Sequence, residues 1–158
     1  MRVIFTLLIF VVTVCGCASS AIKKPALFSF GSSVKDIEAL IKPYCEEYAV
    51  RNVVPPTGPL VKRSQTQIDC SGFYYAGKDR HIELVFQDDQ LDIVWILFSK
   101  EERSEMIRLF REAYGEPTMD IEFGTVFLQA NAAVRNSPSE VLFASERQVK
   151  AMLNTLRK

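Results

Sequence analysis

RHIELVFQDDQLDIVWILF, residues 80–98, decides the fold class. Apolar and polar residues alternate up to Gln87, pause at Asp88-Asp89-Gln90, and resume at Leu91. A period of two sends successive side chains to opposite faces of a strand. Two such runs around a short polar break read as an antiparallel hairpin. An even loop pairs Phe86 with Leu91. Ile82, Leu84, Phe86, Leu91, Ile93, Trp95 and Leu97 then share one face, which must be the core. His81, Glu83, Val85, Gln87, Asp92, Val94, Ile96 and Phe98 take the other.

Working outward, residues 66–76 form a further strand before Gly77-Lys78-Asp79. Residues 120–130 and 132–144 read as more strands, with a turn at Asn136-Ser137-Pro138-Ser139. Three helices separate these runs. The first starts at the N-cap Ser33, with Asp36 three residues on. Its apolar stripe is Val34, Ile37, Leu40, Ile41, Tyr44 and Tyr48, and Pro43 bends its end. The second starts at Ser99 with Glu102 and stops at Gly115 and Pro117. Met106, Ile107, Phe110 and Tyr114 form its stripe. The third starts at Ser145 with Gln148 three residues later, and Val149, Met152, Leu153 and Leu156 face inward. The order helix, three strands, helix, two or three strands, helix predicts an α+β fold. We expect an antiparallel sheet with helices packed on one face, arranged as two tandem helix–sheet halves.

The chain begins with a basic start and a run of about a dozen apolar residues, short of the ~20 a membrane-crossing helix needs. Val14-Cys15-Gly16-Cys17 follows. This stretch resembles a bacterial lipobox: an aliphatic residue, a tolerant position, a small residue, then cysteine. The resemblance implies a signal peptide over residues 1–16, cleavage before Cys17, and acylation of Cys17 with palmitate-like chains. Two or three acyl chains hold a protein stably on a membrane, whereas one does so marginally. Cys15 departs from the pattern, because that position is more often small or hydroxylated. Cleavage after Ser19 or Ser20 would instead give a soluble periplasmic or secreted product. Ala18 after the cysteine, where inner-membrane lipoproteins often carry Asp, favours the outer membrane facing the periplasm. Residues 17–29 read as a lipidated tether and residues 30–158 as a single α+β domain.

Removing 16 residues from 158 leaves 142, enough for one core. Lysine and arginine total 19 and aspartate and glutamate 19, so a nucleic-acid partner is not expected. With Cys15 discarded and Cys17 lipidated, Cys45 and Cys70 remain in an oxidising compartment, and a disulfide is the expected pairing. Two free core cysteines, or a redox pair lacking C-x-x-C spacing, are the alternatives. Two cysteines and the single His81 cannot fill a four-ligand zinc site without carboxylates, so neither metal nor cofactor is expected.

The disulfide constrains the register. Cys70 must point into the core to meet Cys45. A three-residue loop Gly77-Lys78-Asp79 would place Cys70 and Tyr74 inside. Phe73, Tyr75, His81, Glu83, Val94 and Ile96 would then lie on one open surface. Exposed aromatics on a sheet suggest an interface, so these six residues form the expected partner-binding face.

Three local features resemble the fold shared by β-lactamase inhibitory protein and the small lipoprotein of the outer-membrane β-barrel assembly machine. They are Phe30-Gly31-Ser32-Ser33, the hairpin over residues 84–91, and the helix exit Tyr114-Gly115-Glu116-Pro117. The resemblance implies protein binding through the sheet and transfers no catalytic residue.

Chemistry is thinly represented. Ser71, His81 and Asp69 or Glu83 could make a hydrolase triad, but no G-x-S-x-G accompanies them. Glu83 and Asp92 could be paired glycosidase carboxylates, yet no sugar cleft is evident. Asp88, Asp89 and Asp92 lack the glycine and distal glutamate of a calcium loop. The expected function is therefore that of a membrane-anchored envelope lipoprotein binding another envelope protein without catalysis, as an assembly accessory, inhibitor or immunity factor. The alternative is a small periplasmic enzyme or ligand carrier acting on cell-wall or lipid material.

Overall fold

A computed structural model describes residues 22–156. The proposed lipidation residue, Cys17, lies outside the described residues. One eight-stranded antiparallel sheet carries the fold, in the order β1-β2-β3-β4-β8-β7-β6-β5. Helix α1 (Val34–Ile41) precedes β1 (Glu47–Asn52), β2 (Gln65–Tyr75), β3 (Lys78–Gln87) and β4 (Gln90–Leu97). Helix α2 (Arg103–Tyr114) precedes β5 (Met119–Ile121), β6 (Gly124–Phe127), β7 (Ala132–Arg135) and β8 (Glu140–Ala144), and α3 (Glu146–Leu156) follows. Mixed α+β with an antiparallel sheet is what the alternation predicted. Among the described residues no helix is long and apolar enough to cross a membrane.

Helices α1 and α3 start where Ser33 and Ser145 place them, whereas α2 starts at Arg103, four residues after Ser99. The Asp36 backbone N–H donates to Ser33 Oγ at 3.2 Å, and the Gln148 N–H to Ser145 Oγ at 3.2 Å. At α2 a single 3₁₀ turn (Lys100–Glu102) intervenes after Ser99, whose hydroxyl donates to Glu102 Oε1. Gly115 ends α2 at φ +82°, a value glycine adopts without steric cost. The first helix is shorter than its stripe suggested. Lys42–Tyr44 form a 3₁₀ turn around Pro43, and the chain then enters β1, so Tyr48 belongs to a strand. Leu40 and Tyr44 are exposed rather than part of the core stripe.

The Cys45–Cys70 disulfide joins the end of that turn to β2 across a Cα separation of 5.4 Å. Closing this 25-residue separation stabilises the fold by about 3 kcal/mol, chiefly by restricting the unfolded chain.

Two bulges correct the expected register. The first hairpin turns through Ala76-Gly77 alone, with Tyr75 opposite Lys78. Between Cys70 and Phe73 the ladder slips, so Ser71 and Gly72 together oppose His81. Cys70 therefore points inward as required, and so do Phe73 and Tyr75. The second bulge lies in β4. Phe86 pairs with Leu91 as expected, but Val85 pairs with Ile93, leaving Asp92 extra. One extra residue reverses every side chain beyond it. Val94 and Ile96 thus enter the main core, while Ile93 and Trp95 turn to the other face.

The larger core cluster contains Ile68, Cys70, Phe73, Tyr75, Ile82, Leu84, Phe86, Val94, Ile96, Val134, Val141 and Phe143 from the sheet. Helix α1 adds Ile37 and Ile41, and α2 adds Met106 and Phe110. Phe110 meets Phe127 and Phe143 with ring centroids 5.5 and 5.9 Å away. The buried Arg80 pairs with Glu102 at 2.6 Å, tying β3 to the start of α2. The second cluster, on the reverse of the same strands, holds Val85, Ile93, Ala133, Leu142 and Ala144. Val149 and Met152 of α3 pack against it. Helices α1 and α2 therefore share one face, whereas α3 lies on the opposite one.

The described part of the segment expected as a tether, from Ile22 onward, packs against the domain. Ile22 and Phe28 are buried, Leu27 and Phe30 pack on the core, and the Phe28 ring lies 5.4 Å from that of Phe73. Burial of these four apolar side chains holds the segment in the domain.

Candidate functional site

The α3 face of the sheet carries a row of cross-strand partners. Asp69 (β2) opposes Glu83 (β3), Glu83 opposes Trp95 (β4), and Trp95 opposes Leu142 (β8). Leu142 opposes Ala133 (β7), Ala133 opposes Val126 (β6), and Val126 opposes Met119 (β5). Directly opposed residues share a face. The row runs from acidic at one end, through an aromatic, to wholly apolar at the other.

At the apolar end α3 and the sheet enclose a groove of about 390 Å³. Met119, Val126, Ala133 and Leu142 form its floor, with Val149, Met152 and Leu153 of α3 along one side. Ile121 and Phe123 at its rim are 36% and 38% exposed, so the groove opens sideways to solvent. Pro59 also lines the groove. It sits in a long loop fastened by side chains. Gln65 Oε1 accepts from Thr57 and Gly58 N–H at 2.8 Å, and Gln87 Oε1 accepts from Leu60 N–H at 2.9 Å.

A polar lock fixes the start of α3. The buried Asp92 accepts from the Ser145 hydroxyl at 2.6 Å, from Arg147 Nε at 2.7 Å and from Gln87 Nε2 at 3.2 Å. Gln87 Nε2 also donates to Gln148 Oε1 at 2.7 Å. The β4 bulge leaves Asp92 unpaired in the ladder and frees it for this role. Hydrogen bonding to Asp92 raises the Arg147 guanidinium above its ordinary value.

Midway along the row, the Arg135 guanidinium lies 4.8 Å from the ring centroids of both Trp95 and Phe123. It pairs with Glu140, whose side chain is almost wholly buried. Burial raises the Glu140 carboxyl above its ordinary value; Arg135 opposes the rise and Glu83 adds to it. At the acidic end Asp69 accepts from Arg51 Nε at 2.7 Å and from Gln67 Nε2 at 2.6 Å.

The six residues expected on one open face separate. Phe73, Tyr75, Val94 and Ile96 are buried in the main core, on the side of α1 and α2. His81 and Glu83 lie on the reverse face, partly exposed, beside Asp69. The two bulges cause the separation. Among the described residues no hydrogen bond links His81 to Ser71, and Asp92 is far along β4 from Glu83, locked to α3. The three hairpin aspartates are each engaged elsewhere. Asp88 accepts from the backbone N–H groups of Lys62, Arg63 and Ser64, which hold its carboxyl below its ordinary value. Asp89 accepts from the Val34 N–H and so helps cap α1.

The groove was not legible in the sequence. Its floor strands β5–β8 pair with near neighbours in the chain, but Leu142 also pairs with the distant Trp95 of β4, and the return of α3 over these strands leaves no mark in their alternation. Comparison with protein-family models, curated proteins and solved structures finds no match to this chain.

Proposed function

We propose that this chain is an exported bacterial envelope lipoprotein, anchored through Cys17, whose domain binds another envelope protein without catalysis. The binding site is the apolar groove between α3 and β5–β8. The observation that carries the reading is the sideways opening of the groove, with Ile121 and Phe123 exposed at its rim. A small-molecule site buries most of its ligand, whereas an open apolar trough with an aromatic–arginine cluster beside it suits side chains presented by a partner. The succession of one helix and four strands, occurring twice, supports two tandem halves and the resemblance to the β-lactamase inhibitory protein fold. The disulfide supports an oxidising compartment, with the outer membrane facing the periplasm as the favoured address.

A photo-crosslinking amino acid at Met152, compared with one at the exposed Lys35 of α1, tests the site in living envelopes. A discrete protein adduct from position 152 and none from position 35 is expected. No adduct at 152, or the same adduct from both positions, overturns the assignment. Palmitate labelling, abolished by Cys17→Ser, tests the anchor separately. The carrier reading draws on the almost wholly apolar lining. It predicts an apolar small molecule co-purifying with the chain, identifiable by mass spectrometry, in place of a protein adduct.

A further inference from the structure

We infer that Asp69, His81 and Glu83 form a binding site for a divalent transition-metal cation of the zinc class. One donor atom from each side chain lies within 4.8 Å of the other two. The three belong to adjacent strands, and the register explains their convergence. Asp69 and Glu83 are direct cross-strand partners, and His81 is two residues before Glu83 on the same face. The β2 bulge sets Ser71 and Gly72 together opposite His81, with the Glu46 side chain lying against Gly72.

An imidazole nitrogen with two carboxylate oxygens is a donor set that suits zinc, and three protein ligands leave a position for water. In a tetrahedral site with bonds of about 2.1 Å the donors stand ~3.4 Å apart. Rotation of partly exposed side chains supplies the contraction. The local charge balance favours a cation. Two carboxylates facing each other across a ladder repel, and among the described residues only Asp69 of the pair has a basic partner, Arg51. Glu83 makes no hydrogen bond among the described residues and adds to the electrostatic burden on the buried Glu140. The outer shell is present too: Arg51 and Gln67 orient Asp69, as second-shell donors orient carboxylate ligands. Cysteines and the single histidine cannot fill a zinc site without carboxylates, and the β2–β3 register brings two carboxylates beside the histidine. The inference does not depend on the groove or on its occupant.

The test is calorimetric titration of the untagged full chain with zinc chloride. One equivalent is expected to bind, and His81→Ala and Glu83→Gln are each expected to weaken binding about tenfold or more. Glu101→Gln, an exposed carboxylate on the turn before α2, is expected to leave binding unchanged. Circular dichroism of each variant verifies that it folds. A wild-type chain that takes up no zinc at millimolar concentration overturns the site. So does binding that survives both His81→Ala and Glu83→Gln, or that Glu101→Gln weakens equally.

Discussion

Helices α2 and α3 are nearly equal in length, 12 and 11 residues, and lie on opposite faces of one sheet, yet different physics holds them. Helix α2 buries Met106 and Phe110 among phenylalanines and lies flush on its face. Among the described side chains of α3 the fully buried one is polar, Gln148, and Ser145 just before the helix is buried as well. Its first turn is fastened by hydrogen bonds to Asp92 and Gln87, while Val149, Met152 and Leu153 farther along line a groove instead of filling a core. A helix held by directional bonds at one end can stand over a gap. A helix held by non-directional apolar burial gains from closing every gap beneath it. The functional surface follows from this difference.

Paired truncations break the comparison if it is wrong. Phe110→Ala should cost about 4 kcal/mol, through lost burial and a residual cavity. Met152→Ala should cost about 1 kcal/mol, because its side chain already borders open space. Urea unfolding monitored by circular dichroism gives both values. Equal costs would mean that α3 is packed like α2 and that the groove is closed in solution.

The lock on α3 gives the next effect. Asp92→Ala removes the acceptor shared by Ser145, Arg147 and Gln87, leaving buried donors without partners. The expected cost is about 3 kcal/mol. Amide hydrogen exchange sharpens this test: protection should fall first in α3, with α2 retaining its own. Uniform loss across both helices would show that α3 is not a separately fastened element.

Much of this architecture was legible in the sequence, and the failures have a common cause. Ser33 and Ser145 announced their helices because capping is local, whereas Ser99 precedes a 3₁₀ turn and α2 begins only at Arg103. The turn after Phe86 was placed correctly because the pairing of Phe86 with Leu91 needs only the loop between them. The disulfide followed from the cysteine count and the resemblance to a lipobox. What was lost was parity. A bulge adds one residue without disturbing alternation on either side of it, so strand periodicity cannot register it. The bulges at Ser71-Gly72 and Asp92 exchanged the faces of Phe73, Tyr75, Val94 and Ile96. Gly72, at φ +78°, was the local signal for the first, since isolated glycine inside a strand marks a bulge. Asp92, a carboxylate amid a strongly apolar strand, was the signal for the second. Strand β1 was missed because Tyr48 continues the helical spacing of Tyr44 and because an edge strand needs little apolar content.

The smallest effect bears directly on that lost parity. Tyr75 sits 6% exposed, its ring packed edge-on against Phe143 at a centroid distance of 6.5 Å. Its hydroxyl is buried without a hydrogen-bond partner, and burial, assisted by the nearby Tyr114, pushes that hydroxyl's pKa upward. The ring belongs to the core while the oxygen bears an uncompensated desolvation cost. Tyr75→Phe keeps the ring and removes the oxygen, so it should stabilise the protein by about 1 kcal/mol. In thermal unfolding that gain reads as a rise of a few degrees. A surface Tyr75 contacting a partner would behave oppositely, with stability unchanged by Tyr75→Phe and capture of the partner weakened. The sign of the change on removing one hydroxyl therefore reports which way β2 faces.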